Sequence, residues 1–205
     1  MSEPAFLFDI GNVLVKFDFT HALLKLSELS AVPAQEVPTV LTPLKDSLES
    51  GGMSDHDFIT QSIAKLGFKG GRNDFIELWG DIFTEHQPMT ALVEQLAGKY
   101  PLYLFSNTSG LHKEWLFERF EVFRHFKDGV YSYEAKSSKP AEGMYRDAIR
   151  RFNLDPAQTL YVDDLTDNIV TGRRLGFLCH QYEARHHDKL EEEVEAFLAS
   201  APRCC

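Results

Sequence analysis

The sequence predicts an α/β fold, a doubly wound parallel sheet interrupted by a helical insertion. Three observations predict it. Short apolar runs alternate with stretches of helical spacing through the later part of the chain. Three of those runs end in polar residues, at Asp9, Ser106 and Asp163-Asp164. The interval from Asp9 to Thr90 carries helical spacing and no strand pattern.

Ala5-Phe6-Leu7-Phe8 is an unbroken apolar run, as a strand buried on both faces needs. Leu102-Tyr103-Leu104-Phe105, Gly129-Val130-Tyr131 and Thr159-Leu160-Tyr161-Val162 follow, and Phe177 to Tyr182 is the last strand. Helices are expected from Thr90 to Lys99 and around Met144, Ala148, Ile149 and Phe152. Others are expected from Leu165 to Leu175, stopped by Gly176, and from His187 to Ala199. Within the early interval the spacing predicts helices over Thr20–Leu29, Ala34–Leu44, Ser54–Leu66 and Asn73–Phe83. Ser54 suits an N-cap, with Asp55 and Asp57 in the first turn and Gly67 as the stop. Residues 1–16 and 89–205 would form the sheet domain and 17–88 the insertion. An insertion there hangs over the carboxyl ends of the strands, where ligands of such sheets bind.

The 205 residues allow one domain with an insertion. Acidic residues outnumber basic ones, 31 to 21, for a net charge of −10. That balance excludes a phosphate-backbone binder, so no nucleic-acid partner is expected. Three cysteines, Cys179, Cys204 and Cys205, are too few for a disulfide framework. The adjacent pair reads as a frayed tail, and a reducing compartment is expected. Glu3 stands where a secretory leader carries positive charge, and no apolar run is long enough to span a bilayer. The expected location is the cytoplasm, with no membrane partner, as a monomer or homodimer.

Four polar elements lie at strand ends or before helices. Asp9-Ile10-Gly11 places a carboxylate near a small residue, which suits close approach of a metal or a phosphoryl group and equally a plain turn. Ser106-Asn107-Thr108 offers a hydroxyl and backbone N–H groups to an anion, or caps the next helix. Lys139, before Pro140 in the first turn of a helix, could hold a phosphate or simply be solvated; Lys136 is the second choice. Asp163-Asp164 are adjacent carboxylates at the end of a buried strand; they call for a compensating cation, and hard oxygen ligands suit Mg²⁺. His186-His187-Asp188 reads as a solvated helix start, and Phe17 and Phe19 as packing residues.

Together these elements resemble the haloacid dehalogenase-like (HAD) hydrolase superfamily over nearly the whole chain. The resemblance rests on Phe8-Asp9-Ile10-Gly11-Asn12-Val13-Leu14, Phe105-Ser106-Asn107-Thr108, Lys139-Pro140 and Asp163-Asp164 with Asn168. The helical insertion matches the family's alpha-helical cap, and Ser50 to Phe58 is similar to a recurrent cap turn. The Asp-x-Gly-Asn-Val form is similar to bacterial sugar-phosphate phosphatases of the α-D-glucose-1-phosphate type. The resemblance implies a small phosphoester substrate and an Mg²⁺ cofactor. Asp9 would be the nucleophile, forming an aspartyl-phosphate. Ser106, Asn107 and Lys139 would hold the phosphate. Asp9, Asp164 and the Gly11 carbonyl would hold the metal, with Asp163 as a ligand or a partner one water removed, and Asn168 orienting that surround.

One departure stands out. Most phosphatases of the family place a general-acid Asp two residues after the nucleophile, and this chain has Gly11. General acid–base help is worth about 10²–10⁴-fold. His21, His112 and Asp18 are candidates to replace it. The Gly also admits a 2-haloacid dehalogenase, which works without metal, or a non-catalytic phosphate-binding module.

Overall fold

The computed structural model describes residues 3–200, so the expectation for Cys204 and Cys205 falls outside the described residues. The chain runs β1 (Ala5–Phe8), β2 (Val15–Phe17), α1 (Phe19–Glu28), α2 (Val37–Glu49), α3 (Asp55–Leu66), α4 (Arg72–Gly80) and β3 (Phe83–Glu85). It continues through α5 (Gln87–Leu96), β4 (Leu102–Ser106), α6 (Gly110–Arg119), β5 (Asp128–Tyr131), α7 (Ser132–Ala135) and α8 (Glu142–Phe152). It ends with β6 (Thr159–Asp163), α9 (Thr166–Arg174), β7 (Leu178–Gln181) and α10 (His187–Ser200).

Five strands form one parallel sheet in the order β5-β4-β1-β6-β7. Successive side chains point to opposite faces, and two cores result. Phe6, Phe8, Leu102, Leu104, Leu160 and Val162 build one, under α5 and α10. Ala5, Leu7, Phe105 and Tyr161 build the other, with Met144, Tyr145 and Ala148 of α8. Central β1 is buried on both faces, which explains its unbroken apolar run.

Helices α1 to α4 enclose a third core, in which Leu26, Leu41, Leu48, Phe58, Phe75 and Trp79 meet. Ser54 caps α3 by accepting from the Asp57 N–H, and Gly67 ends it in the left-handed region at φ 57°. Helix α2 begins later than the spacing predicts and runs past Pro43 to Glu49, because Leu44 and Leu48 prolong its buried face. Helix α5 starts a turn early, with Pro88 in its first turn where no amide bond is needed.

One expectation needs correcting. The early interval is not without strands: β2 and β3 pair antiparallel at the base of the helical segment, Val15 with Glu85 and Phe17 with Phe83. Each is three residues long, too short for alternation to register, and each is completed by a partner across the whole insertion. Among the described residues no helix is long and apolar enough to cross a membrane.

Candidate active site

Three neighbouring strands deliver the polar residues to one place. Phe8 lies in register with Leu104 on one side and Val162 on the other. The Asp9 N–H extends this ladder by donating to the Val162 carbonyl at 2.9 Å. Ser106 and Asp163 are the last residues of β4 and β6, the two strands that flank β1. Position at the carboxyl end thus follows from where each apolar run stops.

Lys139 joins them from the β5–α8 connection. Its ammonium lies 2.9 Å from Asp9 Oδ1 and 2.6 Å from Asp163 Oδ2, and it donates to the Phe105 carbonyl at 2.7 Å. Its side chain is 1% exposed. Burial alone would lower its pKa; Asp9 and Asp163 outweigh that, and the net shift is upward. Asn107 sets its position: the Asn107 side-chain N–H donates to the Lys139 carbonyl at 2.9 Å, and the Lys139 N–H donates back to Asn107 Oδ1 at 2.8 Å. Pro140 is not in the first turn of a helix as the sequence suggests. It lies in the turn before Ala141, which caps α8, because the clamp on Lys139 holds that backbone outside the helix. The Lys139-Pro140 peptide is cis.

Asp163 is fully buried and its oxygens are occupied. Oδ2 accepts from Lys139, from Tyr161 OH at 2.5 Å and from Asn168 at 3.1 Å. Oδ1 accepts from Asn168 and from the Leu165 N–H, both at 2.9 Å. This carboxylate holds Lys139 and has little left to offer a metal directly. Asp164 is half-buried, and Asn12 donates to its Oδ2 at 3.1 Å. Asn12 sits at φ 54°, a left-handed position that Asn tolerates better than most residues. Burial raises the Asp164 pKa, opposed by the Asn12 bond. Burial, with Asp163 adding to it, also raises Asp9 to about 6 against the pull of Lys139.

The donor set fits a hard divalent cation. Ligand oxygens of Asp9, Asp163 and Asp164 lie within 4.8 Å of one another. Three carboxylates against one ammonium leave two negative charges uncompensated in a partly dry site. The cluster holds no thiolate or imidazole, so oxygen-seeking Mg²⁺ suits it better than a softer metal.

Two cavities adjoin here. One, of about 180 Å³, is lined by Asp9, Ser106, Lys139 and Asp164. The second, of about 170 Å³, begins at Ser106 and Asn107 and reaches Phe17, Phe83, Lys45 and Glu49. Gly11 and Phe17 border both. A Cβ at Gly11 would lie 3.1 Å from Phe17 Cε1, so the ring occupies the space that an acidic side chain there would need. Phe17 is 43% exposed and is a wall of the site rather than a packed core residue, contrary to the sequence expectation.

Other candidates fall out of contention for proton transfer. His21 is exposed. Asp18 caps α1, accepting from the Thr20 N–H at 2.8 Å, and that interaction lowers its pKa. His112 borders the second cavity but is stacked on Trp79, with Nε2 3.2 Å from the Trp79 carbonyl. Burial takes its pKa down to about 4, so it is neutral near pH 7. Lys136 is exposed at the end of α7. The histidines after Glu183 are not all solvated: His187 packs beside Tyr182, which bridges it to His86 at 3.0 and 3.1 Å. The helix cap after Ser106 is Ser109, which leaves Ser106 free of that duty.

Sequence reasoning named Asn107 as a phosphate contact and missed its clamp on Lys139, as it missed the bond from Asn12 to Asp164. The Asn107 clamp joins positions 32 apart and the Asn12 bond positions 152 apart. Lys45 and Glu49 lie in the final stretch of α2, one turn apart, beyond the point where the spacing ends that helix. The i to i+4 spacing of that pair was the available signal.

A parallel sheet that gathers three carboxylates, a hydroxyl and a buried lysine at the carboxyl ends of its strands has the arrangement of a hydrolase site. The chain belongs to the haloacid dehalogenase-like hydrolases, whose family model matches residues 4–176. It is 27% identical over 186 residues to a D-ribitol-5-phosphate phosphatase of Bacteroides thetaiotaomicron, covering 86% of this chain and 90% of that one. Among solved structures it resembles a HAD family enzyme of the same bacterium in complex with magnesium and inorganic phosphate. There the TM-score is 0.80 at 22% identity, over 89% of this chain and 96% of the other. A HAD-like family hydrolase of Porphyromonas gingivalis gives 0.80 at 20% identity, over 97% and 99%. An L-2-haloacid dehalogenase of Xanthobacter autotrophicus gives 0.60 at 14% identity, over 87% and 76%.

Proposed function

We propose that the chain is a Mg²⁺-dependent phosphatase acting on a small phosphomonoester of the sugar- or polyol-phosphate class. One observation carries this reading: Asp9 is a buried carboxylate in contact with Lys139, with a carboxylate oxygen within 4.8 Å of one of Asp164, close enough for the two to share an ion. A carboxylate can attack a phosphate dianion only where positive charge offsets the repulsion. Asp9, Asp164 and the Gly11 carbonyl would hold Mg²⁺, which supplies charge that neutralises phosphoryl oxygens. Asp9 Oδ attacks phosphorus in line, the bond from phosphorus to the leaving oxygen breaks, that oxygen takes its proton from solvent water since residue 11 is a glycine, and an aspartyl-phosphate forms. Water then attacks phosphorus, which frees Asp9 and releases phosphate. Ser106 and Lys139 hold the remaining oxygens; Asn107 positions Lys139 and lines the cavity; Asp163 orients Lys139.

Helices α1 to α4, within 17–88, act as a cap over the core built on the five-stranded sheet. The D-ribitol-5-phosphate phosphatase relative supports a polyol or sugar leaving group. The free, buried thiol of Cys179 suits a reducing compartment such as the cytoplasm. Metal-free dehalogenation fits less well, because it leaves the excess negative charge unmatched.

A phosphate-release assay over sugar phosphates, polyol phosphates, nucleotides and p-nitrophenyl phosphate tests the reading. Wild-type activity should require Mg²⁺ and vanish with EDTA. Asp9→Asn should lose at least about 10³-fold in kcat. Activity that survives either treatment rejects Asp9-based, metal-dependent transfer.

A further inference from the structure

The second cavity has a composition that the phosphoryl chemistry does not use. Phe17, Phe19 and Phe83 give it apolar walls. With His112 neutral, Lys45 and Glu49 are the charged side chains on its lining. Lys45 Nζ lies 3.0 Å from Glu49 Oε2, and the two side chains keep 30% and 23% of their exposure. Glu49 Oε1 accepts no hydrogen bond from a described residue. The pair is held in place from below. Ser132 Oγ donates to the Glu49 carbonyl at 2.6 Å, and Gly51, at φ 72°, brings the chain so close to the Tyr133 carbonyl that a Cβ would lie 2.3 Å from it. The end of α2 is therefore seated on α7, beside the strand that follows β4 in the sheet.

We propose that Lys45 and Glu49 are specificity-determining residues that grip two adjacent hydroxyls of a polyhydroxylated leaving group. The inference rests on the phosphatase reading above. An ammonium and a carboxylate one hydrogen-bond length apart match a vicinal diol. Lys45 donates to one hydroxyl oxygen and Glu49 accepts from the neighbouring hydroxyl. The carbon backbone of the polyol lies against the rings of Phe17 and Phe83. Size agrees: about 170 Å³ holds a short polyol, whereas clefts for drug-sized ligands span about 300–1,000 Å³. The two charges match each other, but an ester without hydroxyls would displace water from Glu49 Oε1 and from the remaining Lys45 N–H groups and put no partner in its place, and such mismatches discriminate.

The test compares a pentitol phosphate with n-pentyl phosphate, a chain of the same length without the hydroxyls. Assays use the full-length protein with saturating Mg²⁺. Wild type should favour the pentitol ester in kcat/KM by ten-fold or more. Lys45→Met and Glu49→Met should each lower kcat/KM for the pentitol ester about 10–100-fold, chiefly through KM. That loss should exceed the loss on the pentyl ester at least ten-fold. A wild-type ratio near one overturns the inference without any variant, so a variant that fails to fold leaves the inference testable. Equal losses on both esters also overturn it, since they mark a catalytic or structural role. Absence of Mg²⁺-dependent phosphate release by wild type from both esters and from p-nitrophenyl phosphate instead rejects the phosphatase reading itself.

Discussion

At the scale of single residues, buried charge is tolerated only where every partner is fixed. Lys139 is the clearest case. An ammonium with 1% of its side chain exposed costs several kcal/mol to desolvate unless paired well, and here two carboxylates and the Phe105 carbonyl surround it. Those partners work only if the backbone at 139 stays where Asn107 holds it. Asn107→Ala removes both clamp bonds and leaves a buried N–H and a carbonyl to find new partners. The variant should lose about 1–3 kcal/mol of stability. If Lys139 holds the phosphate as proposed, inorganic phosphate should also inhibit the variant more weakly than wild type. Thermal melts and phosphate inhibition measure the two effects. An unchanged melting temperature would mean that Lys139 finds its position without the clamp. The strand-end residues Asp9, Ser106 and Asp163 were legible in the sequence because each terminates an apolar run. The bonds that aim Lys139 and Asp164 were not, since Asn107, named only as a phosphate contact, and Asn12 act across gaps that no local pattern encodes.

At the scale of elements, short apolar runs identified the five sheet strands, and helical spacing identified the four helices of the insertion, because each helix buries a face wide enough to repeat. It failed where an element depends on a distant partner. Strands β2 and β3 exist because the two ends of the insertion meet and pair. The end of α2 is a second such case: its last turn is fixed by Ser132 beneath it as much as by its own leucines. Gly51 makes that seat possible. A side chain there would meet the Tyr133 carbonyl at 2.3 Å and would have to adopt φ 72°. Gly51→Ala should destabilise the protein by about 1–3 kcal/mol, through left-handed strain and backbone displacement together. Gly98 is the matched control, at φ 74° with no heavy atom within 4 Å of the position a Cβ would take. Gly98→Ala carries the strain without the clash. Equal losses in denaturant midpoint for the two variants would show that the close approach to Tyr133 contributes nothing.

At the scale of the whole molecule, an acidic chain concentrates further negative charge at the carboxyl end of its own sheet. Three Asp side chains converge on one Lys. Folding without a cation must therefore hold charge that repels itself, and protons relieve it. Asp9 titrates near 6 in the folded protein against 3.8 as an ordinary Asp, and Asp164 is raised as well. The native state then binds more protons than the unfolded chain between about pH 4 and 6. Stability from this source is present at low pH and is lost as pH rises through about 6. A divalent ion held by Asp9 and Asp164, as proposed, would bind the same oxygens in their ionised form, so metal and proton would compete. Below about pH 6, each unit of acidification should weaken Mg²⁺ binding by about ten-fold through Asp9, and the upward shift of Asp164 acts in the same direction. The rise in melting temperature produced by a fixed Mg²⁺ concentration should accordingly be large at pH 7.5 and small at pH 5. Paired melts with Mg²⁺ and with EDTA at pH 5, 6 and 7.5 measure it. An equal Mg²⁺ effect at pH 5 and 7.5 would place the ion away from Asp9 and Asp164, and the metal site would have to be sought elsewhere on the molecule.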